Sequence, residues 1–74
     1  MDARYTAVFE KHGDWWMAYA EELPGANTQG RTREEARENL KEAIQLVLEA
    51  NRELAATRAA GHQVMREEIL VSTG

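Results

Sequence analysis

A chain of 74 residues, 43% hydrophobic and 30% charged, has material for one core and too much of it for disorder, so residues 1–74 read as a single domain. Cysteine is absent, which excludes disulfides and thiolate metal centres, fits a reducing cytoplasm, and leaves self-association as the supplement that so small a core calls for. There is no run of roughly 18 apolar residues to span a membrane and no secretory plan in MDARYTAVFE, while a formal charge of −4 disfavours direct nucleic-acid binding and suits a basic protein partner.

Arg4 to Glu10, RYTAVFE, alternates Tyr5, Ala7 and Phe9 against Thr6 and Val8, and this predicts a first strand. KHGD, Lys11 to Asp14, supplies hairpin chemistry through Gly13. A second strand follows over about Trp15 to Glu21 and is ended by Pro24 and Gly25, because proline has no N–H for a ladder and the pair favours a turn. Ala26 to Gly30 predicts a short third strand.

Thr32 then opens a helix. Its hydroxyl can accept from the Glu35 N–H while the Glu35 carboxylate reaches back to the N–H of Thr32, a capping box, with Glu34 and Glu35 in the turn the dipole favours. Ala36, Leu40, Ala43, Ile44, Val47, Leu48 and Leu54 recur at helical steps over roughly 24 residues or more, about 36 Å, until Gly61 stops the run. Such a helix outreaches a short sheet, and its last turns have room to project or to meet another subunit. A final strand is expected at about Arg66 to Ser72, with Ile69 and Val71 alternating against Leu70. The expected class is α+β: β-β-β-α-β, an antiparallel three-stranded sheet plus a C-terminal strand, with one long helix on one face.

The candidate chemistry is sparse. Glu34, Glu38 and Glu42 recur at four-residue spacing, which could suggest acid/base or metal work, but Arg37 and Lys41 beside them make a solvated helical face the plainer reading. His12 and His62 fall in separate loops, Ser72 has no histidine motif near it, and Gly13, Gly25 and Gly30 are scattered among turns. No catalytic, cofactor or metal residues are assigned, and the chain is expected not to be an enzyme. More informative is the pair Trp15 and Trp16, whose side chains must point to opposite faces of the sheet. One faces the helix and the other the uncovered side, in company with either Ala18 and Ala20 or Met17 and Tyr19. The exposed tryptophan is either packed locally by long side chains or part of an association surface, where tryptophan and tyrosine are enriched. Sequence alone leaves open which one it is.

The series Glu22-Leu23-Pro24-Gly25, Thr28-Gln29-Gly30, a threonine cap, Glu34-Glu35-Ala36 and Asn39-Leu40-Lys41-Glu42-Ala43 resembles the HicB-like family of antitoxin domains. The resemblance runs, more loosely, over almost all of the chain, from the tyrosine-bearing first strand to the hydrophobic last one. It implies a partial ribonuclease-H-like fold and a role in type II toxin–antitoxin pairs. In such a pair the antitoxin binds and occludes a small basic HicA-like toxin that cleaves mRNA. The fold's name carries no nuclease activity here, since no strand-borne acids are placed for two metals.

The resemblance also implies a homo-oligomer, dimer or tetramer. Trp15, Trp16, Met17, Tyr19, Leu23 and Asn27 are the candidate partner-binding or oligomer-interface residues. Pro24, Gly25, Thr28, Gly30, Thr32 and Glu35 form the structural motif that steers hairpin into helix. Fuller-length relatives look to carry an added DNA-binding module, whereas this sequence ends at Gly74 after the expected last strand, so operator binding is not expected of this chain by itself. The alternative is a stand-alone oligomeric scaffold or small-ligand-binding domain with no toxin partner.

Overall fold

The computed structural model describes residues 3–71. Three strands, β1 (Ala7–His12), β2 (Trp15–Ala20) and β3 (Asn27–Gly30), form an antiparallel sheet in the order β1-β2-β3, and one helix, α1 (Arg33–Ala59), follows. This is the α+β class read from the sequence, with each of the first three expected strands trimmed or shifted by one to three residues at an end.

Local chemistry accounts for each junction. Gly13, at φ 60° in the two-residue loop between β1 and β2, takes the positive φ that a tight hairpin demands of its first central residue, and Asp14 follows at negative φ. Pro24 and Gly25 occupy the two central positions of a type II turn: the Ala26 N–H donates to the Leu23 carbonyl at 3.1 Å, with Gly25 at φ 93°. Thr32 caps α1, its hydroxyl accepting from the Glu35 N–H at 3.0 Å. The return half of the cap differs from expectation. The Glu35 carboxylate accepts from the N–H of Arg31 at 3.2 Å, one residue earlier than Thr32, because the extended backbone at Thr32 turns the preceding amide toward the helix start.

α1 packs chiefly on β3 and β2 and barely on β1. Ala18, Ala36 and Leu40 are buried at the centre of this contact, with Phe9, Trp16, Ala43 and Ile44 packed around them. The approach is backbone-close. A Cβ placed on Gly30 would stand 2.6 Å from the Ala36 nitrogen, so the helix can sit this near the sheet because glycine faces alanine there. Asn39 adds a second tie, its amide donating to the Gln29 carbonyl at 3.0 Å.

The helix runs for 27 residues, about 40 Å, in keeping with the roughly 24 or more expected, and from Glu49 to Arg58 every residue is exposed. Gly61, at φ 77°, ends the run as expected. Beyond it the fourth strand expected at Arg66–Ser72 is not part of the sheet: residues 63–71 carry no strand pairing and are exposed, while Ser72 lies outside the described residues. The helix carries the chain about 22 Å past Ile44 before it turns, so much of the tail is spent returning along the helix, where Val64 and Arg66 lie against Arg52, Ala55 and Ala59. Met65 and Leu70 are each 98% exposed, which leaves the tail's apolar side chains without cover inside one chain.

Replacing Gly30 by alanine is expected to cost about 1–3 kcal/mol, through overpacking against the α1 backbone. Urea unfolding should read this as a lowered midpoint at unchanged slope, and an unchanged midpoint would contradict the close approach.

Candidate functional site

Strand register decides which side chains share a surface. Val8 stands opposite Tyr19, Glu10 opposite Met17 and His12 opposite Trp15, and on the other side Tyr19 faces Asn27 and Met17 faces Gln29. Since alternate residues point to one face, these residues make up the side of the sheet away from α1, while Phe9, Trp16, Ala18 and Ala20 point toward it. The question of the two tryptophans is thereby answered. Trp15 lies outside with Met17 and Tyr19, all exposed, and Trp16 is half-buried against the core.

The open face thus unites four of the six candidate interface residues, Trp15, Met17, Tyr19 and Asn27. Trp16 is turned to the helix, and Leu23 is half-buried in the turn that follows β2. Asn27 also serves the turn, its amide donating to the Gly25 carbonyl at 3.3 Å. Thr28, opposite Ala18, lies on the covered side with Gly30.

Cations frame the aromatic residues on both faces. The Arg31 guanidinium sits 4.8 Å from the centre of the Trp15 ring, and on the helix side Arg33 and Arg37 lie 5.1 and 5.8 Å from Phe9. Lys11 stands 6.0 Å from Trp16. Each such contact contributes on the order of 0.5–1 kcal/mol at an exposed site and, through the aliphatic stems, covers ring surface that the short core leaves unpacked.

At the opposite end of the sheet Glu22 clasps the start of the first strand. Its two carboxylate oxygens accept from the Thr6 N–H and the Thr6 hydroxyl, each at 2.6 Å, while the Glu21 N–H donates to the Thr6 carbonyl at 2.9 Å. The Thr6 hydroxyl and then its amide hold the Glu22 carboxyl below the usual carboxylate range. Sequence reading gave Glu22 no role beyond the ELPG motif, because its partner is sixteen positions away and no local pattern marks the pair. Asn39 was likewise quoted as motif without a role.

The acidic face of α1 is solvated, with Lys41 bonded to Glu38 at 2.9 Å. Among the described residues no three of His, Asp or Glu gather where they could share a cation, and no helix is long and apolar enough to cross a membrane. His12 meets Glu10 at 3.0 Å on the open face near the hairpin. The arrangement therefore offers an aromatic and thioether surface for contact, rimmed by polar side chains. Among the described residues no hydroxyl is hydrogen-bonded to a histidine.

No family model matches the chain, and no solved structure matches it. A UPF0150 protein of Synechocystis sp. is 41% identical to it over 73 residues, covering 96% of this chain and 99% of that protein.

The two tryptophans should respond differently to truncation. Trp16→Ala is expected to lower folding stability by about 2–3 kcal/mol, and Trp15→Ala by no more than about 1 kcal/mol. Chemical denaturation of both variants checks this, and equal losses would contradict the register.

Acid provides a second check. Because folding depresses the Glu22 carboxyl, its stabilising contribution is complete above the ordinary value of 4.5 and is lost as pH falls through the lower folded value. Glu22→Gln should melt below the parent protein at pH 7, with the gap closing below about pH 4. A gap that persists at pH 3 would mean that the clasp is not the cause.

Proposed function

The chain belongs to the UPF0150 family, and from the open face of its sheet we propose that it is a HicB-like antitoxin of a type II toxin–antitoxin system. In this reading it binds a small basic HicA-like toxin that cleaves mRNA, and neutralises it by occlusion, with no catalysis of its own. The observation that carries the proposal is the row of Trp15, Met17 and Tyr19, each a little over a third exposed, on the face of the sheet opposite the one α1 covers. Tryptophan and tyrosine are enriched among the residues that carry binding energy at protein interfaces, methionine is enriched in such interfaces, and a chain of net charge −4 suits a basic partner.

The motif series from Glu22 to Ala43 supports the same reading, since it resembles that of HicB-like domains. With it goes the partial ribonuclease-H-like fold, in which the segment Arg66–Ser72 forms a fourth strand beside β1. The outer edge of β1 favours this. Among the described residues no strand pairs with it, and an unpaired edge next to apolar surface is ordinarily covered. The setting is cytoplasmic, where the mRNA target is found.

Co-expression with the product of an adjacent small basic reading frame should restore growth and yield a complex that survives purification. Within that complex, Trp15→Ala or Tyr19→Ala should weaken binding by about 2 kcal/mol, roughly thirtyfold, without unfolding the antitoxin. Failure to suppress the toxicity of any such neighbour would overturn the reading in favour of a scaffold or ligand-binding role.

A further inference from the structure

Sulfur has an uneven distribution in this chain. There are three methionines and no cysteine, and the two methionines among the described residues, Met17 and Met65, both stand outside the core. The layer between α1 and the sheet holds neither. Oxygen transfer to either sulfur therefore leaves the packing of helix on sheet as it is.

Met17 is the middle residue of the outward row on β2. Trp15 and Tyr19 stand two places to either side on the same face, about 7 Å away along the strand, and the three are between 36% and 39% exposed. Across the strand pairs its neighbours are Glu10 on β1 and Gln29 on β3, both exposed. A thioether at this place is apolar, polarizable and flexible, the properties that let it fill a gap against a partner. The same thioether is the group in the row that takes up oxygen most readily.

We infer that Met17 is an oxidation site, and that conversion of its thioether to the sulfoxide by a peroxide closes the open face to its partner. A lone pair on Sδ attacks one oxygen of hydrogen peroxide, the S–O bond forms as the O–O bond breaks, and the departing hydroxide takes the remaining proton and leaves as water. Sulfur loses two electrons and the peroxide gains them. The product carries a strong hydrogen-bond acceptor where an apolar group stood. In the free chain, water and the Gln29 amide across the strand pair can donate to that oxygen, so the fold tolerates it. Beneath the apolar surface of a partner the same oxygen goes unsatisfied, and the penalty falls on the complex alone. A modification that disfavours only the bound state shifts the equilibrium toward the free chain. Because sulfoxide reductases return methionine sulfoxide to the thioether, the change can be undone.

The inference deepens the antitoxin reading and rests on it for the identity of what is released. Met65, 98% exposed and beyond the sheet, meets the same oxidant without bearing on the face. It supplies an internal standard.

The test treats the full-length chain with hydrogen peroxide, removes the peroxide, and measures affinity for the product of the adjacent small basic reading frame by calorimetry, with peptide mass spectrometry to locate the added oxygen. The expected result is one oxygen on Met17 as well as on Met65, unchanged circular dichroism, and a dissociation constant raised at least about tenfold that sulfoxide reductase restores. Met17→Leu, compared only with itself, should bind equally before and after peroxide, whereas Met65→Leu should lose affinity on treatment as the parent does. A Met17 that stays unmodified where Met65 is fully converted would overturn the site. An oxidised chain that binds as tightly as the reduced one would overturn the switch and leave the antitoxin reading standing. A reduced chain that binds no such product would overturn that reading and the switch together.

Discussion

The nearness of α1 to β3 governs the rest of the molecule. With 2.6 Å between a would-be Cβ on Gly30 and the Ala36 nitrogen, the helix and sheet meet through glycine and alanine, and the layer between them has little volume. Ala18, Ala20, Ala26 and Ala36 fill it, with Leu40 the one large side chain that is buried among the described residues. Burial of apolar area scales with the size of the groups removed from water, so a core made mainly of methyls contributes modestly. The larger apolar groups are displaced to the margins: Phe9 and Trp16 under cations, Ile44 at the mouth of a groove, Val47 and Leu48 where the helix leaves the sheet.

That displacement links packing to function. Because the helix settles over β3 and β2, the β1 side of the covered face is left unsealed, and no helix or strand among the described residues packs on the opposite face. Two distinct surfaces result. One is a groove between residues 3–7 and α1, next to a β1 edge with which no strand among the described residues pairs, suited to an extended segment that carries acids. The other is a flat patch of Trp15, Met17 and Tyr19, suited to the surface of a folded partner. They lie on different sides of the sheet, so an occupant of one would leave the other free.

The clasp at Glu22 and the cap at Thr32 have related tasks at opposite ends of the sheet. Glu22 fixes where the first strand starts against β2, and so fixes the register on which the division of Trp15 from Trp16 depends. Thr32 and Glu35 fix where α1 begins, and so which of its faces meets Gly30. A one-residue slip at either place would carry the aromatic row to the wrong side of the sheet or lift the helix from it.

Much of this was legible locally. Alternation in RYTAVFE, the glycine of KHGD, the proline–glycine pair and the threonine cap each announce a strand, turn or helix through the conformations that a few neighbouring residues permit, and the order β-β-β-α follows from them. The extent of the overhang, ten exposed residues from Glu49 to Arg58, did not, although its existence did, because high propensity in AATRAAG says that a helix forms and not what it covers. Nor did the sides taken by Trp15 and Trp16, the Thr6–Glu22 clasp, or the groove beside β1, and the tail's alternation announced a strand without an address. What the sequence by itself determined is the set of elements, since backbone preference and side-chain period act over a few residues. What only the tertiary structure decided is which surfaces those elements leave uncovered, since register and helix placement depend on contacts between residues far apart along the chain.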